Sequence, residues 1–132
     1  MNQKYWDDLS ENFNERVFEI ADNELNQALA TTIKKLGKQY RTAGDFACGA
    51  GGTTAALAAH FEQVIAVDYA AKLLQQARKR VKGDNIRFVE VDLTKNKSTA
   101  IKVDVGFCIN ALIHPVAKKR KRIAATVFRS LN

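Results

Sequence analysis

Two glycines and three carboxylates carry the chemistry this chain can be expected to do. Asp45-Phe46-Ala47-Cys48-Gly49-Ala50-Gly51-Gly52 closes an apolar run in an acid, bends at glycine, and leads into Thr53-Thr54-Ala55-Ala56-Leu57. Glycine at 49 and 51 lets the backbone turn sharply and lie against a ligand that side chains would hold away. A second apolar run, Val64-Ile65-Ala66-Val67, ends in Asp68, and a third ends in Asp92. In an open parallel sheet both acids fall on the carboxyl edge beside the glycine bend. There Asp68 can accept hydrogen bonds from ribose hydroxyls. Bend and acids together describe a nucleoside-binding crevice.

Each feature has a plainer reading. The glycines can form a tight strand-to-helix connection with no ligand, and Asp92 can cap a turn. The third position of G-x-G-x-x-G is Thr54, where pyrophosphate cofactors prefer glycine, and no G-x-x-x-x-G-K-[ST] segment exists. A ligand with ribose and adenine but no phosphate fits best. His114 is the titratable group near neutrality placed just after the fourth strand, and it also reads as a turn residue before Pro115. His60 reads as structural. Cys48 and Cys108 lack C-x-x-C spacing and read as small buried thiols, with no metal expected.

Alternating elements must position these groups. Strands are expected at 41–46, 64–67, 86–91 and 103–109, and helices at 53–61, 70–82 and 116–131. A helix over 22–36 precedes them, with Leu25, Leu29, Ile33 and Leu36 at three- and four-residue spacing and Gly37 to end it. Residues 3–18 read as a helical lead-in. This order predicts an α/β fold, a Rossmann-like three-layer αβα sandwich with a mainly parallel sheet in the order 3-2-1-4. Thr42-Ala43-Gly44 is a poor strand former, and its position before the bend supports it.

With 132 residues the chain is expected to form one domain, 1–132, divided into an N-terminal helical segment, 1–36, and an α/β core, 37–132. It is 46% hydrophobic and 27% charged, with no apolar stretch long enough to span a bilayer, so no membrane partner is expected. The polar N-terminus and two cysteines lead us to expect a cytoplasmic protein. Net charge is +7, segregated toward the C-terminal part, where no acid follows Asp104 and Lys118-Lys119-Arg120-Lys121-Arg122 is found. These cations read as the wet face of an amphipathic helix, with nucleic acid as the alternative partner.

The chain resembles the class I methyltransferases that use S-adenosylmethionine. The resemblance runs through Tyr5-Trp6, Asp45–Gly52, Val64–Asp68, Asn85–Asp92 and Val103–His114. It implies a cofactor-binding set of Asp45, Ala47, Gly49, Gly51, Asp68, Tyr69, Asp92, Leu93, Cys108 and Asn110. By resemblance, Gly49 and Gly51 lie under the methionine part, with Asp45 near its amino group. Asp68 takes the ribose hydroxyls, and Tyr69 packs beside the adenine. Asp92 and the Leu93 backbone read the adenine edge. Cys108, Ile109 and Asn110 line the transfer position, with His114 as the catalytic candidate. Ala47 stands where similar chains more often have glycine, and Phe13 where they often have tyrosine. The usual last three strands are expected to be missing, which leaves the fourth strand as an edge for a possible homodimer. The implied activity is methyl transfer to a small-molecule acceptor. A cofactor-binding fragment without turnover, an RNA methyltransferase and a nicotinamide oxidoreductase stay open as alternatives.

Overall fold

The structure, a computed structural model, describes residues 3–9, 23–95, 100–109 and 116–132. Its elements are α1 (Gln3–Leu9), α2 (Asn23–Gly37), β1 (Thr42–Phe46), α3 (Gly52–Ala58), β2 (Gln63–Asp68), α4 (Ala71–Arg80), β3 (Ile86–Glu90), β4 (Val105–Phe107) and α5 (Ala117–Arg129). All strand pairs are parallel, in the order β3-β2-β1-β4. Order and direction agree with the expected doubly wound sheet. Residues 10–18 of the expected lead-in lie outside the described residues.

Two apolar faces cover the sheet. On one, Ile33 of α2 and Leu57 and Phe61 around α3 pack on Ala43, Val64 and Phe107. The Phe61 and Phe107 rings meet edge to face at 6.1 Å, which adds about 0.5–1.5 kcal/mol to their burial. Leu74 of α4 continues this face over Ala66 and Cys48. On the other face, Ile123 of α5 packs with Phe46, Val67, Leu93, Ile101 and Val103.

The weak strand propensity of β1 has a packing reason. Gly44 pairs with Gly106 of β4, and the Phe46 ring lies over both. A Cβ on Gly44 would fall 2.5 Å from Phe46 Cε2, and one on Gly106 3.3 Å from the same atom. Two bare positions side by side make the seat for a fully buried ring. Glycine in a strand here marks close approach.

The fourth strand is shorter than the expected 103–109. Val103 forms a separate parallel bridge to Leu131, donating its N–H to Ser130 O and accepting from Asn132 N at 2.9 Å each. Asp104 N–H turns inward to Thr42 O. The Val103 backbone therefore serves the chain end, and pairing with β1 begins at Val105. Helices α3 and α4 also stop short of the expected 61 and 82. Asn85 Nδ2 donates to the carbonyls of Ala58 and Phe61, which closes α3.

Candidate functional site

Three strand ends build the site. The chain leaves β1 at Phe46 and passes through positive φ at Ala47 (63°), Gly49 (55°) and Gly51 (90°) before α3 starts. Ala47 is a non-glycine residue in the left-handed region. Gly51 has a second task. A Cβ there would lie 2.8 Å from Val81 Cγ2 and 3.2 Å from Ala77 Cβ, so its bareness seats the end of α4 against the bend.

Asp68, at the end of β2, stitches the bend to the next loop. Its Oδ2 accepts from Gly49 N–H and its Oδ1 from Ala70 N–H, both at 2.9 Å. The residue is only 6% exposed. Burial pushes the carboxyl above its ordinary value, opposed by the N–H groups of Ala70, Gly49 and Tyr69. With these N–H groups in place the two oxygens still keep acceptor capacity for a hydroxyl. Tyr69 follows, half-buried. Val91 N–H donates to Asp68 O at 2.9 Å, which brings the end of β3 alongside.

Asp92 is half-buried and caps its own turn: Oδ1 accepts from Thr94 N–H (2.9 Å) and Thr94 Oγ1 (2.6 Å), and Oδ2 lies 3.9 Å from Lys95 Nζ. The turn-capping role weighed from sequence is thus present. The Leu93 side chain belongs to the core, and its carbonyl accepts from Thr126 Oγ1. Leu93 N–H meets no acceptor among the described residues.

Asp45 sits beneath the bend rather than on its open side. It is 1% exposed, and Thr54 Oγ1 donates to its Oδ2 at 2.7 Å. Burial raises its carboxyl to about 7; the Thr54 bond opposes this and the Asp68 charge adds to it. Burial also lifts the Cys48 thiol above its usual value and holds Cys108 at about 11, with Asp45 reinforcing both. Both cysteines are free thiols. Among the described residues no three His, Cys, Asp or Glu side chains gather to hold a metal, and no helix is long and apolar enough to cross a membrane. Asn110 and His114 lie outside the described residues.

Two contributors carried no sequence signal. Thr54 stands where the fingerprint has glycine, yet its hydroxyl is the partner of Asp45. Asp7 of α1 accepts from Lys72 N–H at 3.1 Å, capping the start of α4 beside Asp68. Only a contact between distant segments reveals that role.

The edge thus gathers Gly49, Gly51, Asp68, Tyr69, Asp92 and Leu93, with Ala47 in the bend, Asp45 beneath it and Cys108 just past the end of β4. A carboxylate bonded to the backbone of a glycine bend at the carboxyl edge of a parallel sheet suits an adenosine-bearing ligand. Residues 44–132 match the family described as "Methyltransferase domain". The malonyl-[acyl-carrier protein] O-methyltransferase 2 of Coxiella burnetii (strain RSA 493 / Nine Mile phase I) is 33% identical over 87 residues, which is 64% of this chain and 35% of that protein. The DhpI complex with SAM and HEP superposes with a TM-score of 0.78 at 18% identity, covering 98% of this chain and 58% of that one. The N-methyltransferase NodS from Bradyrhizobium japonicum WM9, in complex with S-adenosyl-L-homocysteine, gives 0.77 at 18%, covering 98% and 67%. The chain therefore spans about a third of its sequence relative's length. It belongs to the methyltransferase-domain family.

Proposed function

We propose that this domain binds S-adenosylmethionine across the carboxyl edge of its sheet and takes part in methyl transfer to a small-molecule acceptor. The observation that carries the reading is the 2.9 Å bond from Gly49 N–H to Asp68 Oδ2. It holds the bend and the acid of the next strand in one frame, which is what a single nucleoside needs.

When bound, the cofactor supplies an electrophilic methyl group on a sulfonium. The chain's own residues hold and orient. Asp68 offers acceptors to vicinal hydroxyls. Leu93 N–H offers a donor to a ring edge, and Asp92 keeps acceptor capacity on Oδ2. Gly49 and Gly51 keep the backbone low beneath the ligand. Cys108, neutral because it is half-buried, is a passive wall rather than a nucleophile. In-line displacement draws most of its acceleration from alignment and exclusion of water. A base is required only for an acceptor that must lose a proton, and His114 is our candidate.

A second reading of the acceptor is favoured by the 33% identity to an enzyme named for malonyl-[acyl-carrier protein]: the acceptor arrives on a carrier protein. For the shared part of both readings, S-adenosylhomocysteine should protect the chain against heat and NAD should not. Protection by NAD alone would replace this proposal with a nicotinamide one.

A further inference from the structure

Helix α5 is built in a way that folding alone does not favour. Its cap residue, Val116, provides no side-chain cap, and no acid lies in its first turn. Lys118, Lys119, Arg120, Lys121 and Arg122 crowd the positive end of the helix dipole instead. Cations there cost about 0.3–1 kcal/mol each, and like charges four apart, such as Lys118 and Arg122, cost a few tenths more. The buried side of α5 is supplied by Ile123 and Thr126. Lys118, Lys121, Arg122 and Phe128 are exposed; Lys118 lies three and four residues before Lys121 and Arg122, and Phe128 seven after Lys121, so they share one side of the helix. Phe128 is 76% exposed. Among the described residues no ion pair neutralises Lys118, Lys121 or Arg122.

The connectivity aims this face. Ser130, past the end of α5, is bonded to Val103 at the amino end of β4. α5 therefore runs against β4, and its first turn lies toward the carboxyl edge, where Gly49 and Asp68 sit.

We propose that the exposed face of α5, formed by Lys118, Lys121, Arg122 and Phe128, docks an acidic carrier protein that presents the methyl acceptor at the sheet edge. This rests on the methyl-transfer reading and names its macromolecular partner. Carboxylates on the partner answer the three cations in the N-terminal half of α5, and an apolar side chain answers Phe128 near its C-terminal end. Proteins that follow a nucleic-acid backbone spread cations over many phosphates. Here Lys118, Lys121 and Arg122 sit within little more than one helical turn, and Arg129 is the one further exposed cation described on α5, at its far end.

The test measures binding of purified acyl-carrier protein by calorimetry at low and high salt. The parent chain is compared with a triple variant, Lys118→Gln with Lys121→Gln and Arg122→Gln. A control triple, Lys79→Gln with Arg80→Gln and Lys82→Gln, removes equal charge from the end of α4 on the opposite face. The proposal expects affinity to fall by about ten-fold or more in the α5 variant and at high salt. The control should change little, and both variants should keep their affinity for S-adenosylhomocysteine. No binding of the carrier, or equal binding by the α5 variant, would overturn it. So would tighter, α5-dependent binding of a short single-stranded RNA or of anionic vesicles. Carrier binding without any affinity for S-adenosylhomocysteine would uphold the docking face while sinking the methyl-transfer reading.

Discussion

Thr54 Oγ1 donates to Asp45 Oδ2 at 2.7 Å, tying α3 to the end of β1 where both side chains are cut off from solvent. A neutral hydroxyl is a weak partner for a buried carboxylate, so the acid holds its proton up to about 7. Its folded value lies above the ordinary 3.8, and the folded chain therefore binds that proton more tightly than the unfolded one. Stability is fully present below about 4 and falls as pH rises toward 7. Asp45→Asn keeps an acceptor for Thr54 and removes the ionisation. It should raise the stability, by an amount on the order of a few kcal/mol at pH 8 and clearly less at pH 5, read as a matching rise in melting temperature. An equal gain at both pH values would show that Asp45 ionises freely.

The glycines of the bend are not equivalent. Gly51→Ala meets Val81 and Ala77 and also a φ of 90°, whereas a Cβ on Gly52 meets nothing within 4 Å. Denaturant unfolding should show Gly51→Ala losing about 2 kcal/mol or more and Gly52→Ala staying within about 1 kcal/mol of the parent. Ala47→Gly relieves a left-handed alanine and should gain up to about 1 kcal/mol. Matching losses at 51 and 52 would mean that α4 does not press on the bend.

Strand order, bend and the acid at 68 were legible because each leaves a local mark: apolar runs of four to six residues, a pair of glycines, an acid closing a run. Thr54 was not, because a threonine in the helix after a bend looks like a failed glycine until its hydroxyl is seen on Asp45. Asp7 was not, because its partner Lys72 is 65 residues away. Asp92 showed both of its alternatives, and its turn bonds to Thr94 are the plainer one. The extent of β4 is not legible, because Val103 continues the apolar alternation while its backbone pairs with Leu131.

Asp104 holds the amino edge of the sheet together. Its Oδ2 accepts from the N–H groups of Arg41 and Thr42, and its Oδ1 from Asn132 Nδ2. The Asn132 amide first, then Thr42, keep the carboxyl below its ordinary value. A lowered acid contributes stability above 3.8 that is lost as pH falls through its folded value. Asp104→Asn should therefore flatten the acid side of the stability profile. An unchanged acid limb below pH 4 would contradict this.

Backbone groups of Val105 and Phe107 point away from β1, on the same side as those of Val103, and meet no described residue. Such an edge is a template for another strand. Self-association along it should appear as a mass that climbs toward the dimer with concentration in light scattering, more strongly after removal of residues 130–132. A monomeric mass at every concentration, for both proteins, would rule this edge out.

The central claim is that Asp68 and the bend at 49–52 hold one adenosine. Calorimetric titration of S-adenosylhomocysteine into the parent chain and into Asp68→Ala measures it most directly. The parent should bind, and the variant, with the backbone N–H groups of Gly49 and Ala70 among those left unanswered together with the ribose hydroxyls, should bind at least about a hundred-fold more weakly. Equal affinity in the two proteins, or none in the parent, would contradict the account.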